Sequence, residues 1–284
     1  MRHDTGSFLS HDGLRLFRQS WRPDTPPRAA VVNLHGLGDH SGLHRPLVEH
    51  LVGAGLAVHG FDFRGHGRSP GERAYIASWA DFREDLHRFL ADEAAAEPGL
   101  PRFVTGVSLG GLVALEYLLT RGAAEAGAAP IRGTAALAPP LGEVGVPAPL
   151  MALGRVLSRV WPRFSLEVGM DLTGLSRDPA AAAEVLDDPL FHRRGTARLS
   201  TEVTAAIARV QAAAPRLAAP VLIQHGGADR MVPPAGSRRF AERAPSRWCT
   251  LIEYPGAYHA LAADLDAPRV LADLTAWIGA RIPD

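Results

Sequence analysis

The sequence predicts an α/β protein with a mostly parallel central sheet, helices on both faces and an inserted helical segment. Three observations carry that expectation. Short apolar runs alternate with helical patterns, as parallel strands and crossover helices do. One strand–helix junction holds Gly106-Val107-Ser108-Leu109-Gly110, a spacing that suits a sharp turn. A proline-punctuated stretch without strand signals then interrupts the alternation from about Pro139 to Pro215.

The elements follow in order. Ser7–Ser10 and Leu14–Phe17, joined by His11-Asp12-Gly13, read as a hairpin. Ala29–Leu34 reads as a buried strand that runs into the glycine loop His35-Gly36-Leu37-Gly38. A helix carrying Leu47, Val48, Leu51 and Val52 leads to the strand Leu56–Phe61 and a polar loop, Asp62 to Arg73. Ser78 is the expected cap of a helix with Phe82, Leu86, Phe89 and Leu90 at helical spacing. Arg102–Thr105 enters the pentapeptide, and Gly111–Leu119 leaves it as a helix. Gly133–Leu137, Val221–Gln224 and Cys249–Tyr254 supply the later strands. Helices around Ser237–Ala244 and Pro268–Ile278 follow the last two.

This organisation divides the chain into a first core part (1–139), a helical lid (140–215) and a second core part (216–284). In the lid, Leu150, Leu153, Val156, Leu157, Val160 and Trp161 share one helical face flanked by Arg155, Arg159 and Arg163. Two readings stay open. The face packs on the core, or it is offered to micelles or membrane surfaces as peripheral contact.

Composition sets limits on function. With 284 residues, 46% hydrophobic and 21% charged, the chain can bury a full core. A formal net charge of +0 gives no electrostatic case for nucleic acid as a partner. The first residues lack the apolar region of a signal peptide, and no apolar run approaches the ~20 residues of a membrane span. A single cysteine, Cys249, excludes an internal disulfide and makes a cytoplasmic location the expectation; in its strand it reads as an inert thiol. All thirty basic residues are arginine, and Asn33 is the only asparagine. A GC-rich bacterial genome accounts for that bias. Thermal adaptation is the alternative, which a melting temperature in the mesophile range excludes.

The chemistry turns on chain order. Hydrolases with a G-x-S-x-G elbow carry nucleophile, acid and base in that sequence, with acid and base on loops after later strands. Ser108 is the candidate nucleophile. Asp229, in Gly226-Gly227-Ala228-Asp229-Arg230 after Val221–His225, is the candidate acid. His259, in Pro255-Gly256-Ala257-Tyr258-His259 after Cys249–Tyr254, is the candidate base. His259 takes the serine proton and Asp229 fixes its tautomer. The oxyanion needs two preset backbone N–H donors, expected at Leu37 and Leu109. His225 is expected beneath the acid loop, and His192 in the lid. The glycine loop lacks dinucleotide spacing and a P-loop lysine, so no phosphate site is expected. The triad and two amides account for the chemistry without a metal or organic cofactor.

These residues resemble a known family. His35-Gly36-Leu37-Gly38-Asp39-His40-Ser41-Gly42, Asp62-Phe63-Arg64-Gly65-His66-Gly67-Arg68-Ser69, the elbow, Asp187-Asp188-Pro189-Leu190, His225–Asp229 and Gly256–His259 look like bacterial monoacylglycerol lipases and lysophospholipase-like α/β-hydrolases. The resemblance implies a serine carboxylester hydrolase for medium- or long-chain acyl esters. Monoacylglycerols are the first expectation, cleaved to fatty acid and glycerol through a Ser108 acyl-enzyme. Lysophospholipase, short-chain esterase and serine peptidase are the alternatives, and a non-catalytic protein on the same fold is the last. In the polar loop Asp62 and Arg64 are expected to pair, with His66 packed near the sheet. Three departures stand out. Val107 and Leu109 replace the histidine and methionine common around the serine. Asp39 matches the acid that binds the glycerol head, but Leu43 stands where the accompanying arginine aligns. Ala260 follows the base in place of an acid.

Overall fold

Alternation within the central strands decides the architecture. In β3 (Ala29–Leu34), Ala29 and Val31 enter one apolar layer while Val32 and Leu34 enter a second. The same split separates Phe103 from Val104 in β5 (Arg102–Val107), and Leu222 from Val221 and Ile223 in β9 (Val221–Gly226). Successive side chains on a strand point to opposite faces, so a strand apolar at both parities needs helices on both. The computed structural model describes residues 1–123, 130–142, 148–167 and 172–283.

An eight-stranded sheet results, in the order β1-β2-β4-β3-β5-β6-β9-β10. Here β1 is Arg2–Leu9, β2 Arg15–Arg22, β4 Leu56–Phe61, β6 Ile131–Leu137 and β10 Cys249–Tyr254. The β1–β2 hairpin and the β2–β4 pair are antiparallel, and every pair from β4 to β10 is parallel. On one face lie α1 (Arg45–Gly53) and α8 (Ala267–Gly279), with Leu47, Leu51, Val270 and Leu274 buried. On the other lie α2 (Ala80–Ala96) and α3 (Leu109–Arg121), with Phe82, Phe89, Leu112 and Leu115 buried. The helix after β3 and the helix after β5 therefore leave adjacent strands toward opposite faces. Such a switch point opens a crevice at the carboxyl ends of the strands.

Between β6 and β9 the chain inserts α4 (Ala148–Val160), α5 (Pro179–Asp187) and α6 (Ala197–Ala213). α6 packs against α3, and its Leu199, Ala206, Ile207 and Val210 belong to the core. The insertion also contains strand, against expectation: β7 (Ser165–Glu167) and β8 (Arg194–Thr196) pair antiparallel as a short ribbon. Three-residue strands are too brief to show alternation in the sequence. α4 turns most of its apolar face outward. Leu153, Val156, Val160 and Trp161 are 52, 54, 73 and 60% exposed, while Leu157 is half-buried and Ser158 hydrogen-bonds Thr201 on α6. The side chain of Leu150 lies outside the described residues.

Two local expectations are corrected. Ser78 does not cap α2 with its side chain; Asp81 reaches back instead, its carboxylate accepting from the Ala77 and Ser78 N–H groups. Asp62 and Arg64 do not pair. Asp62 accepts from the Ser41 hydroxyl and the Ser41 and Arg68 N–H groups. Arg64 instead forks onto Asp85 of α2 at 2.7 and 2.8 Å, and donates to Asp12 of the β1–β2 turn at 3.0 and 3.1 Å. Its planar fork joins elements distant in sequence. Removing it leaves the fully buried Asp85 carboxylate without its guanidinium, with the His11 ring at 3.1 Å as its remaining side-chain partner. Arg64→Met is expected to destabilise the protein by about 3–5 kcal/mol, read from the urea midpoint.

Candidate active site

The elbow is assembled by close backbone approach. A Cβ on Gly106 would meet the Gly110 carbonyl carbon and oxygen at 2.3 Å, and one on Gly110 would meet the Leu34 carbonyl oxygen at 2.4 Å. Only glycine lets α3 start this close to β3 and β5. Between them Ser108 takes φ 52°, a left-handed conformation that a non-glycine residue adopts at a cost. Its N–H donates to the Leu137 carbonyl at 2.8 Å, which ties the turn to β6.

His259 and Asp229 meet as the sequence order predicts. His259 Nδ1 lies 2.7 Å from Asp229 Oδ2, and both side chains are buried. An ionised carboxylate only accepts, so His259 donates from Nδ1, and in the neutral ring Nε2 is then the acceptor. Asp229 Oδ1 accepts from the Met231 and Val232 N–H groups at 2.9 and 2.8 Å. Burial alone raises its pKa, but the hydrogen bonds from His225 and His259 outweigh that and hold the carboxyl well below the usual range. His225 does pack beneath the acid loop. Its Nε2 donates to the Val232 carbonyl and its Nδ1 faces the Ser237 hydroxyl, both at 2.8 Å.

Ser108, His259, Leu37 and Leu109 line one apolar cavity of about 310 Å³ with Asp39, Leu43 and Ala260. Leu109 opens α3, where a helix leaves its N–H groups without intrahelical acceptors. The loop carrying Leu37 is pinned from several sides. Buried His35 accepts from the Phe63 N–H and faces the Gly36 carbonyl, each at 2.8 Å. The His192 N–H, from the insertion, donates to the Gly38 carbonyl at 2.9 Å. Asp39 accepts from the Gly36 and His40 N–H groups at 3.2 and 2.6 Å. Burial pushes its carboxyl up, but His44 beside it and the His40 N–H bring it well below the usual range. Cys249 stands outside the site, half-buried, its thiol pushed up to about 11 by burial. His11, Asp12 and Asp85 bring metal-type ligand atoms within 4.8 Å, but the Arg64 guanidinium already fills that cluster.

Known proteins are similar to this chain over nearly its whole length. The profile of the family described as serine aminopeptidase, S33, matches residues 25–266. The monoacylglycerol lipase of Mycolicibacterium smegmatis is 35% identical over 276 residues, 96% of this chain and 95% of its own. Monoglyceride lipase from Homo sapiens is 33% identical, covering 98% of this chain and 91% of the relative. The chain belongs to the monoacylglycerol lipase family of α/β-hydrolases. Among solved structures, monoacylglycerol lipase from Paleococcus ferrophilus superposes on this hydrolase with a TM-score of 0.84 at 35% identity, over 94% of this chain and 99% of that one. A soluble variant of the Saccharomyces cerevisiae monoglyceride lipase, in complex with a substrate analog, gives 0.87 at 25% identity over 100% and 96%.

Several groups that shape the hydrolase site escape sequence reasoning. His44, Asn33 and Thr105 stand behind Asp39, and Asp188 pairs with His40 at 3.2 Å. The Asp187-Asp188-Pro189-Leu190 motif was the one signal for the last of these. His66 packs at the sheet as expected, against His35, and His192 closes over it with ring centroids 5.0 Å apart. Burial lowers the pKa of His35 to about 3 and of His192 to about 4, and takes His66 well below 6.5. Between those values and 6.5 the unfolded chain binds more protons than the folded one, so stability falls as pH falls. The melting temperature is expected to drop steadily from pH 6.5 toward pH 4 in scanning calorimetry, and His192→Gln to flatten part of that slope.

Proposed function

We propose that this protein is a serine carboxylester hydrolase that cleaves monoacylglycerols to fatty acid and glycerol. The carrying observation is the cavity onto which Ser108, on its strained turn, and the buried His259–Asp229 couple both open. The relatives named monoacylglycerol and monoglyceride lipase, similar over nearly the whole chain, support the same reading. His259 Nε2 takes the proton of Ser108 as its oxygen attacks the ester carbonyl carbon. The N–H groups of Leu37 and Leu109 receive the oxyanion of the tetrahedral intermediate. The glycerol oxygen leaves with the proton from His259, and water repeats the sequence to release the acid. No residue here needs a metal for these steps.

The apolar lining suits an acyl chain, and the volume lies near the small end of the ~300–1,000 Å³ range of ligand pockets. An aminopeptidase needs a free acid for the substrate ammonium. Asp39 is the one acid among the described lining residues, and three hydrogen bonds engage it. Residues 140–215 act in this reading as a lid, and the exposed face of α4, edged by exposed Arg155 and Arg159, rests on lipid surfaces. Among the described residues no helix is long and apolar enough to cross a membrane. With one half-buried cysteine, a cytoplasmic location is proposed, to be checked by fractionation.

Ser108→Ala is expected to lower turnover of p-nitrophenyl esters and monoacylglycerols by at least ~10³-fold while the protein stays folded; full retained activity refutes the reading. A profile of p-nitrophenyl chain lengths run beside monoacylglycerols and lysophosphatidylcholine separates the lipase from its alternatives. Val160→Asp with Trp161→Ala is expected to slow hydrolysis of monoacylglycerol in anionic vesicles several-fold. Turnover of a soluble short-chain ester is expected to stay the same. Equal effects on both substrates speak against a lipid-facing helix.

A further inference from the structure

The proposed oxyanion hole draws its two donors from separate segments. Leu109 follows β5 and Leu37 follows β3, so something must fix one relative to the other. Side chains on the α1 face of the sheet do this in one unbroken line. Thr105 on β5 and Asn33 on β3 are register partners, and the Thr105 hydroxyl donates to Asn33 Oδ1 at 2.9 Å. The Asn33 amide nitrogen lies 2.7 Å from His44 Nδ1, and His44 Nε2 lies 2.7 Å from Asp39 Oδ2. Asp39 then holds the Gly36 and His40 N–H groups on either side of Leu37.

Donor and acceptor chemistry makes the line directional. An amide nitrogen only donates and a carboxylate only accepts, so His44 accepts at Nδ1 and donates from Nε2. The Thr105 hydroxyl, by donating to Asn33 Oδ1, turns the amide nitrogen toward His44. Thr105, Asn33 and His44 are all buried, which keeps water from substituting for any link. Asn33 is the chain's only asparagine, standing where an aspartate would put a second acceptor against His44 Nδ1. His44 directly precedes α1, lines the cavity and is anchored by the helix behind it.

We propose that His44 is a positioning residue of the ester hydrolysis: through Asp39 it sets the Leu37 amide against the Leu109 amide, with Asn33 and Thr105 tying that setting to the nucleophile strand. The inference rests on the Ser108 hydrolase reading. It goes beyond that reading by assigning oxyanion preorganisation to a side-chain relay. Donors aimed at a developing charge act in the transition state and not on the bound ester, so their loss lowers kcat and leaves KM nearly unchanged.

His44→Phe, His44→Gln and Thr105→Val, with the unmodified protein, test this. A fluorophosphonate probe that labels Ser108 counts active sites, so kcat is expressed per labelled site and misfolded protein drops out. For a p-nitrophenyl ester, His44→Phe is expected to lower kcat roughly ten- to hundredfold with KM within about threefold. Glutamine offers a donor toward Asp39 and an acceptor toward Asn33, so His44→Gln is expected to recover kcat to within about threefold. Thr105→Val, at the far end and near in shape, is expected to lower kcat several-fold without change in KM. A His44→Phe kcat per labelled site within twofold of the unmodified value overturns the proposal. So does a loss that His44→Gln leaves unrepaired, a rise in KM that accounts for the effect, or an unchanged kcat in Thr105→Val should His44→Phe not fold. Failure of the probe to label Ser108 in the unmodified protein overturns the hydrolase reading instead.

Discussion

Everything at the site depends on how closely β3 and β5 can be joined at their carboxyl ends. The start of α3 is pressed against the Leu34 and His35 carbonyls, and only the absent side chain of Gly110 allows it. Because α1 and α3 leave these neighbouring strands toward opposite faces, the loops that precede them diverge and leave a crevice. The glycine loop after β3 and the serine turn after β5 are the two lips of that crevice. Their spacing is inherited from the β3–β5 register, the most rigid reference a sheet can offer. Backbone packing sets the frame of the site, and buried side chains that cross the β3–β5 seam, such as Thr105 on Asn33, act upon it.

The charge arrangement follows the same economy. Asp229 is buried and Asp39 half-buried; both are ionised, each held by backbone N–H groups and an imidazole. His35, His66 and His192 lie ring against tilted ring, and burial keeps each neutral at ordinary pH. Neutral rings can stand together without repulsion and still order backbone groups, as His35 does for Phe63 and Gly36. The carboxylates order the loops through backbone N–H groups, and neutral His35 adds its own backbone contacts to the loop after β3.

How much was legible in the sequence follows from what kind of contact each residue makes. The placement of Ser108, Asp229 and His259 is legible because each sits on a loop after a strand, and their order along the chain is linear information. The same strand–loop logic puts Leu37 and Leu109 beside one cavity, which both line. Arg64 was misassigned to Asp62 because sequence nearness was the only guide; its true partners come from the β1–β2 turn and α2. Asn33 and Thr105 carry no signal at all, since their pairing exists only once β3 and β5 take their register. Helix α4 is an intermediate case. Its amphipathic face was plain, but periodicity tells which residues share a face and not what that face meets. Ser78 lost the cap to Asp81 for a local reason: an aspartate in the first turn can reach back to two N–H groups.

The inserted segment is joined to the site at points that matter chemically. Asp188 pairs with His40, and the His192 N–H holds the Gly38 carbonyl, so the insertion touches the loop of the proposed oxyanion donor directly. On the other side Arg177 binds Asp264, whose carboxylate also takes the Tyr258 N–H, one residue before His259. The His259 N–H in turn donates to the Gly174 carbonyl. A segment placed only to cover a cavity needs no contact with the loops that carry reacting groups. Here the stretch that turns α4 outward also braces the loop of the proposed base and the loop of the proposed oxyanion donor. Any rearrangement of the insertion around an acyl chain must therefore be accommodated at residues 174–177 and 188–192, or it would disturb the geometry that the β3–β5 seam establishes.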